Sequence, residues 1–121
     1  PFTITYTTML VSNDEEMAAA KAGLTFRLVD SPSVVRSLLG LGDETVGELR
    51  EALSAGGPPA AAHLIHDSWV DQFMIVGDDD AAATELRSLL ATHEIDEFQL
   101  PVPDIERGSA LIERVAPWFA R

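Results

Sequence analysis

Hydrophobic positions along the chain fall into two periods. Residues 2–11 (FTITYTTMLV), 73–76 (FMIV) and 97–102 (EFQLPV) are short and rich in β-branched or aromatic side chains. Such runs predict strands, and a continuously apolar one suits a parallel strand covered on both faces. A helical stripe follows each. Met17, Ala20, Leu24 and Leu28 recur at three- and four-residue spacing, as do Ala82, Leu86, Leu89, Leu90 and His93. The last stripe is Leu111, Ile112, Val115, Trp118 and Phe119, with Pro117 expected to bend or end its helix. Between the first two strands the pattern is helical throughout. Ser31-Pro32 reads as an N-cap with proline at the first helical position, so residues 33–39 form a short helix interrupted by Gly40 and Gly42. Another starts at Asp43 or Glu44, carries Leu49 and Leu53, and stops at Gly56-Gly57-Pro58-Pro59; residues 60–70 add one or two further turns.

Small and acidic residues punctuate every strand exit: Ser12-Asn13-Asp14-Glu15-Glu16, Gly77-Asp78-Asp79-Asp80 and Pro103-Asp104-Ile105-Glu106. Carboxylates there accept hydrogen bonds from orphan N–H groups and oppose the positive pole of the helix, and Ser12 with Glu15 has capping-box spacing. Helix initiation is the ordinary role of these acids, ahead of metal binding or catalysis. The order is thus β, several α, β, α, β, α. Asp78 to Asp104 is the length of a compact αβ repeat, and Asp14 to Asp78 is one with a helical insertion. No linker or low-complexity tract divides residues 1–121, which read as a single domain or domain fragment of the α/β class.

Composition narrows the function. Eight lysines and arginines stand against 20 aspartates and glutamates, a formal charge of −12. That field disfavours nucleic acid and anionic membrane surfaces as partners. With 46% hydrophobic and 23% charged residues the chain is a globular one, not an acidic tail. No apolar run is long enough to span a bilayer and no signal-peptide core opens the sequence. Cysteine is absent, which removes disulfides, thiolate metal sites and cysteine nucleophiles and fits a reducing cytoplasm.

Candidate chemistry is sparse. There is no phosphate-binding glycine signature, and three aspartates after Gly77 would repel a phosphate at that helix end. No G-x-S-x-G elbow is present, and the contiguous His66-Asp67-Ser68 cannot build triad geometry alone. His63 and His66 share a helix face near Asp67 and Asp71, but no third or fourth ligand has recognised spacing, so no metal site is expected. His93 reads as a helix end. Pro1, at the start of a strand, is similar to the catalytic proline of tautomerases, but the helical insertion does not fit that family's compact unit.

Three parallel strands leave open edges and cannot close a barrel. A resemblance accounts for this. Residues 67–78 (DSWVDQFMIVGD) resemble the "D-x-h-V-D-x-F-x-h-x-G-[TD]" stretch of luciferase-like monooxygenases, a short helix entering the seventh barrel strand. Residues 82–90 are similar to the family's "A-x-x-L-R-x-L" helix. Residues 95–101 (IDEFQLP) are similar to its "h-D-x-h-x-L-P" eighth strand, and residues 111–114 (LIER) to its closing helix. Residues 2–11 with Ser12-Asn13-Asp14 resemble the sixth strand and its exit. The resemblance implies the last three βα units of a TIM (β/α)₈ barrel, a fold of about 250 residues, and hence the C-terminal portion of a flavin- or deazaflavin-dependent oxidoreductase or monooxygenase.

By that resemblance the cofactor is FMN or the 8-hydroxy-5-deazaflavin coenzyme, and the substrate a small organic molecule. Most cofactor contacts then lie outside this chain. No catalytic residue carries over; Ser12, Gly77 and Pro101 are the strand-end positions facing the barrel mouth. The parent is expected to be an enzyme, while the chain alone is expected to be inactive. The first and last strands are expected to present unpaired edges and an apolar barrel-facing side, so that the chain forms a homo-oligomer or associates with the missing N-terminal barrel part. The alternative is an autonomous small α/β binding or interaction module without catalysis.

Overall fold

A computed structural model describes residues 2–120; the Pro1 reading lies outside them. The chain runs β1 (Thr5–Thr7), β2 (Leu10–Val11), α1 (Asp14–Val29), α2 (Ser33–Leu39), α3 (Asp43–Ala61), a 3₁₀ turn (Ala62–Leu64), α4 (Asp67–Phe73), β3 (Ile75–Val76), α5 (Asp79–Thr92), β4 (Glu97–Gln99), α6 (Gly108–Val115) and a closing 3₁₀ turn (Ala116–Phe119). This is a mostly helical α/β arrangement with parallel strands and, among the described residues, no closed barrel.

The first predicted strand is broken in two, and its halves serve different partners. β1 pairs in parallel with β4, Thr5 opposite Glu97 and Thr7 opposite Gln99. β2 pairs in parallel with β3, Leu10 opposite Ile75 and Val11 opposite Val76. Among the described residues β3 and β4 do not pair with each other. The first segment is therefore the shared partner of the other two strands, not an unpaired edge.

Two cores flank the strands. One joins Val11 to the buried stripe of α1 (Ala20, Leu24, Leu28), to Val46 and Leu49 of α3 and to Trp69 and Val70 of α4, with Met9 and Val76 packed against it. The other joins Leu10 and Ile75 to Ala82, Ala83 and Leu86 of α5 and to Val115 and Trp118, with Tyr6, Phe98 and Leu111 alongside. The β2–β3 ladder is thus covered on both sides. The β1–β4 ladder is covered on one: Tyr6 and Phe98 are half-buried, while Thr5, Thr7, Glu97 and Gln99 are exposed. The uncovered side of this ladder is polar, contrary to the apolar one expected. Thr8 is buried between the two ladders, its hydroxyl donating to the Phe73 carbonyl at 3.1 Å.

Helix ends follow the predicted chemistry with shifts of register. The cap of α1 is Asn13, not Ser12: Asn13 Oδ1 accepts from the Glu16 N–H at 2.8 Å, and Glu16 reaches back to Asn13 Nδ2 at 2.9 Å. The capping box is therefore Asn13–Glu16 rather than Ser12–Glu15. Ser31 closes α1 by donating to the Arg27 carbonyl, and Pro32 occupies the cap position of α2. Gly40 ends α2 at φ 68°, and Gly57 at φ 73° kinks α3 where the glycine–proline run predicted a stop. Asp78 caps α5 through the Ala81 N–H at 2.9 Å, and His93 ends that helix. Asp104 accepts from the Glu106 N–H in a turn, so α6 begins four residues later, at Gly108. Within its predicted stripe Val115 and Trp118 are buried, but Ile112 on α6 and Phe119 in the 3₁₀ turn that holds Pro117 remain exposed.

Candidate functional site

The strand exits converge on one end of the ladders. Val11 of β2 accepts a hydrogen bond from the Gly77 N–H at 2.9 Å, which sets the exits of β2 and β3 side by side. Gly77 has φ 155°, and a Cβ there would sit 3.1 Å from Ala81 Cβ, so the turn into α5 needs a glycine. Ser12 gives both its N–H and its hydroxyl to the Glu16 carboxylate, at 3.3 and 3.2 Å. Two residues beyond the Thr7–Gln99 pair, Met9 and Pro101 help line a cleft of about 520 Å³.

That cleft lies between the first turn of α1 and the face of α6. Met9, Leu10, Leu100, Pro101 and Leu111 give it apolar walls; the neutral Asn13 and the charged Glu15, Glu16, Asp104, Arg107 and Arg114 give it a polar rim. Of the three predicted mouth positions, Pro101 lines the cleft, Ser12 touches it through Glu16, and Gly77 stands apart at the β3 exit.

Two arginines that the motif reading did not single out organise the rim. Arg114 Nη1 donates to Glu16 Oε1 at 3.0 Å, and its Nε lies 3.4 Å from Asp79 Oδ1, so one guanidinium spans the first turns of α1 and α5 from α6. Arg107 bonds Glu15 at 2.6 Å and sits 3.5 Å from Asp104. Partial burial pushes the Glu16 carboxyl upward, but the hydrogen bond and charge of Arg114, with the two donations from Ser12, outweigh it and hold its pKa below the ordinary glutamate value. Glu15, by hydrogen bond and charge, and then Asp104 raise Arg107 above the ordinary arginine value. The only sequence signal for Arg114 was its place in the LIER stretch; Arg107 had none, because a long-range ion pair leaves no spacing in the chain.

The histidines stay apart from the cleft. His63, His66 and His93 are exposed, and His66 stacks on Trp69 with ring centroids 4.3 Å apart. Among the described residues no three His, Asp or Glu side chains converge as a metal-holding group.

Sequence and fold comparisons agree on one kind of protein. The 5,10-methylenetetrahydromethanopterin reductase of Methanopyrus kandleri is 30% identical over 119 residues, covering 94% of this chain and 34% of that protein. The solved structure of the coenzyme F420-dependent tetrahydromethanopterin reductase from Methanopyrus kandleri matches with a TM-score of 0.74 at 25% identity, over 97% of this chain and 35% of that one. The chain is homologous to part of this reductase. It spans about a third of the length of the relative it matches. No protein-family profile matches the chain. The structure agrees with the expected layout at residues 67–78, where Asp67–Phe73 is a short helix leading into β3. Between the two cofactors expected, the relative is F420-dependent, and nothing in the comparisons supports FMN. No described helix is long and apolar enough to cross a membrane.

Proposed function

We propose that this chain is the C-terminal part of a deazaflavin-dependent, luciferase-like oxidoreductase that acts on a small organic substrate in the cytoplasm. The observation that carries the reading is the match of nearly the whole chain to one third of an F420-dependent reductase, with the strand exits gathered at one end. The residues present fit part of such a site. A cleft of this size is within the range of ligand pockets, and its apolar walls beside hydrogen-bonding groups suit the edge of a flat heteroaromatic ring. They do not fit a phosphate: Glu15, Glu16, Asp79 and Asp104 ring the arginines. The chain then supplies rim and wall through Ser12, Pro101 and the Arg107 and Arg114 pairs, while the anionic part of the coenzyme is held elsewhere. When bound, the deazaflavin supplies a hydride; this chain's residues orient its ring edge and exclude water.

A barrel mouth clasps its ligand from all sides, so the 121-residue chain alone is expected to bind coenzyme F420 with no saturable micromolar affinity. The product of the complete reading frame is expected to bind it. Fluorescence titration of both with oxidised F420 tests the reading. Saturation by the short chain contradicts the partial-site assignment, and failure of the complete product to bind overturns the oxidoreductase reading in favour of a binding module without catalysis.

A further inference from the structure

The uncovered side of the β1–β4 ladder is unusual for a barrel interior. In such barrels the inward side chains are mostly bulky and branched, packed in layers. Here Thr3, Thr5, Thr7, Glu97 and Gln99 stand exposed on one side of the two segments, and Tyr6 and Phe98 turn to the helices on the other. The polar row is ordered: Thr5 donates to Glu97 Oε2 at 3.1 Å and Thr7 to the Gln99 carbonyl at 2.8 Å. These bonds satisfy the threonine hydroxyls, and the Glu97 carboxylate stands exposed to solvent. It enters none of the described ion pairs.

We propose that this face is an interaction surface whose occupant is a polar, cation-bearing strand face from the part of the protein outside this chain, with a lysine or arginine placed against Glu97. This rests on the reading of the chain as a barrel portion. Charge decides the occupant. A second copy would bring the same cation-free face and another chain at −12 to the interface, whereas a carboxylate taken out of water needs a cation and hydrogen-bond donors around it. Length agrees, since about two thirds of the matched reductase lies beyond this segment. The barrel centre next to these strands is then a polar layer and not a branched apolar one.

Charge reversal at this position tests the proposal. E97K in the short chain is expected to shift Tm by less than about 2 °C, because the residue is exposed there. In the product of the complete reading frame it is expected to lower Tm by roughly 5–10 °C, as a buried pair becomes a buried repulsion. E97Q, which keeps the shape, is expected to give a smaller drop in the same direction. Reversing one upstream lysine or arginine to glutamate is expected to restore the E97K protein. An equally harmless E97K in both lengths, with F420 still bound by the longer one, overturns this proposal and leaves the functional reading intact. A dimer of the short chain that E97K dissociates names a second copy as the occupant and also overturns it. A complete frame that encodes no further strands overturns both.

Discussion

The two strand pairs share one continuous segment, residues 5–11, yet live in different surroundings. β2–β3 carries Leu10, Val11, Ile75 and Val76 and is packed from both sides, by α1, α3 and α4 on one and by α5 and α6 on the other. β1–β4 carries threonines, a glutamate and a glutamine on its open side. Burial on both sides makes the first pair the keystone that joins the two cores. A single covered side leaves the second with an open polar face, on which the proposed contact falls. The same backbone pairing therefore serves stability in one place and contact in the other, and side-chain polarity marks which is which.

Replacing a side chain from each pair measures that contrast most directly. Ile75 is 1% exposed at the centre of one core, so Ile75→Ala is expected to cost roughly 2–5 kcal/mol by urea denaturation. Thr7→Ala on the open face is expected to stay within about 0.5 kcal/mol in the short chain. Equal costs would remove the distinction between the pairs. Gly77 tests the keystone at its exit: alanine there meets both φ 155° and the 3.1 Å approach to Ala81, and is expected to cost about 1–3 kcal/mol. A neutral Gly77→Ala would mean that the turn into α5 adjusts freely.

Much of this was legible in the chain. Stripes such as Ala20, Leu24 and Leu28 are buried as their spacing predicts, because a long helix repeats its signal many times. The division of residues 2–11 was not legible. Continuous β-branched residues look the same whether one partner or two share the strand, and Thr5 and Thr7 differ from Leu10 and Val11 only in what covers them. The Ser12 and Asn13 registers differ by one residue, and the Glu16 that completes the observed cap is also held by Arg114, nearly a hundred positions away. The rim was missed for the same reason. Local spacing finds caps and stripes, whereas the Arg107–Glu15 and Arg114–Glu16 pairs exist only after α6 folds back on α1.

The smallest expected effect concerns that fold-back. Glu16 accepts from Ser12, Asn13 and Arg114, and the other carboxylate facing Arg114 is Asp79, so the site keeps one guanidinium between two acids. The Glu16 pKa is lower folded than unfolded. In the window between the two values the unfolded chain binds more protons, so stability rises with pH there. The contribution is fully present above the ordinary glutamate value and is lost as pH falls through the depressed one. Both side chains are about a quarter exposed and solvent screens them, so its size is expected to be about 1 kcal/mol or less. Urea midpoints of wild type and Glu16→Gln, measured from neutral pH downward, check it. The gap between the two proteins is expected to be widest at neutral pH and to close below the glutamate range. A gap that stays constant with pH would show that Glu16 acts through its capping geometry alone, and that α6 is held to α1 by packing and not by the Arg114 charge.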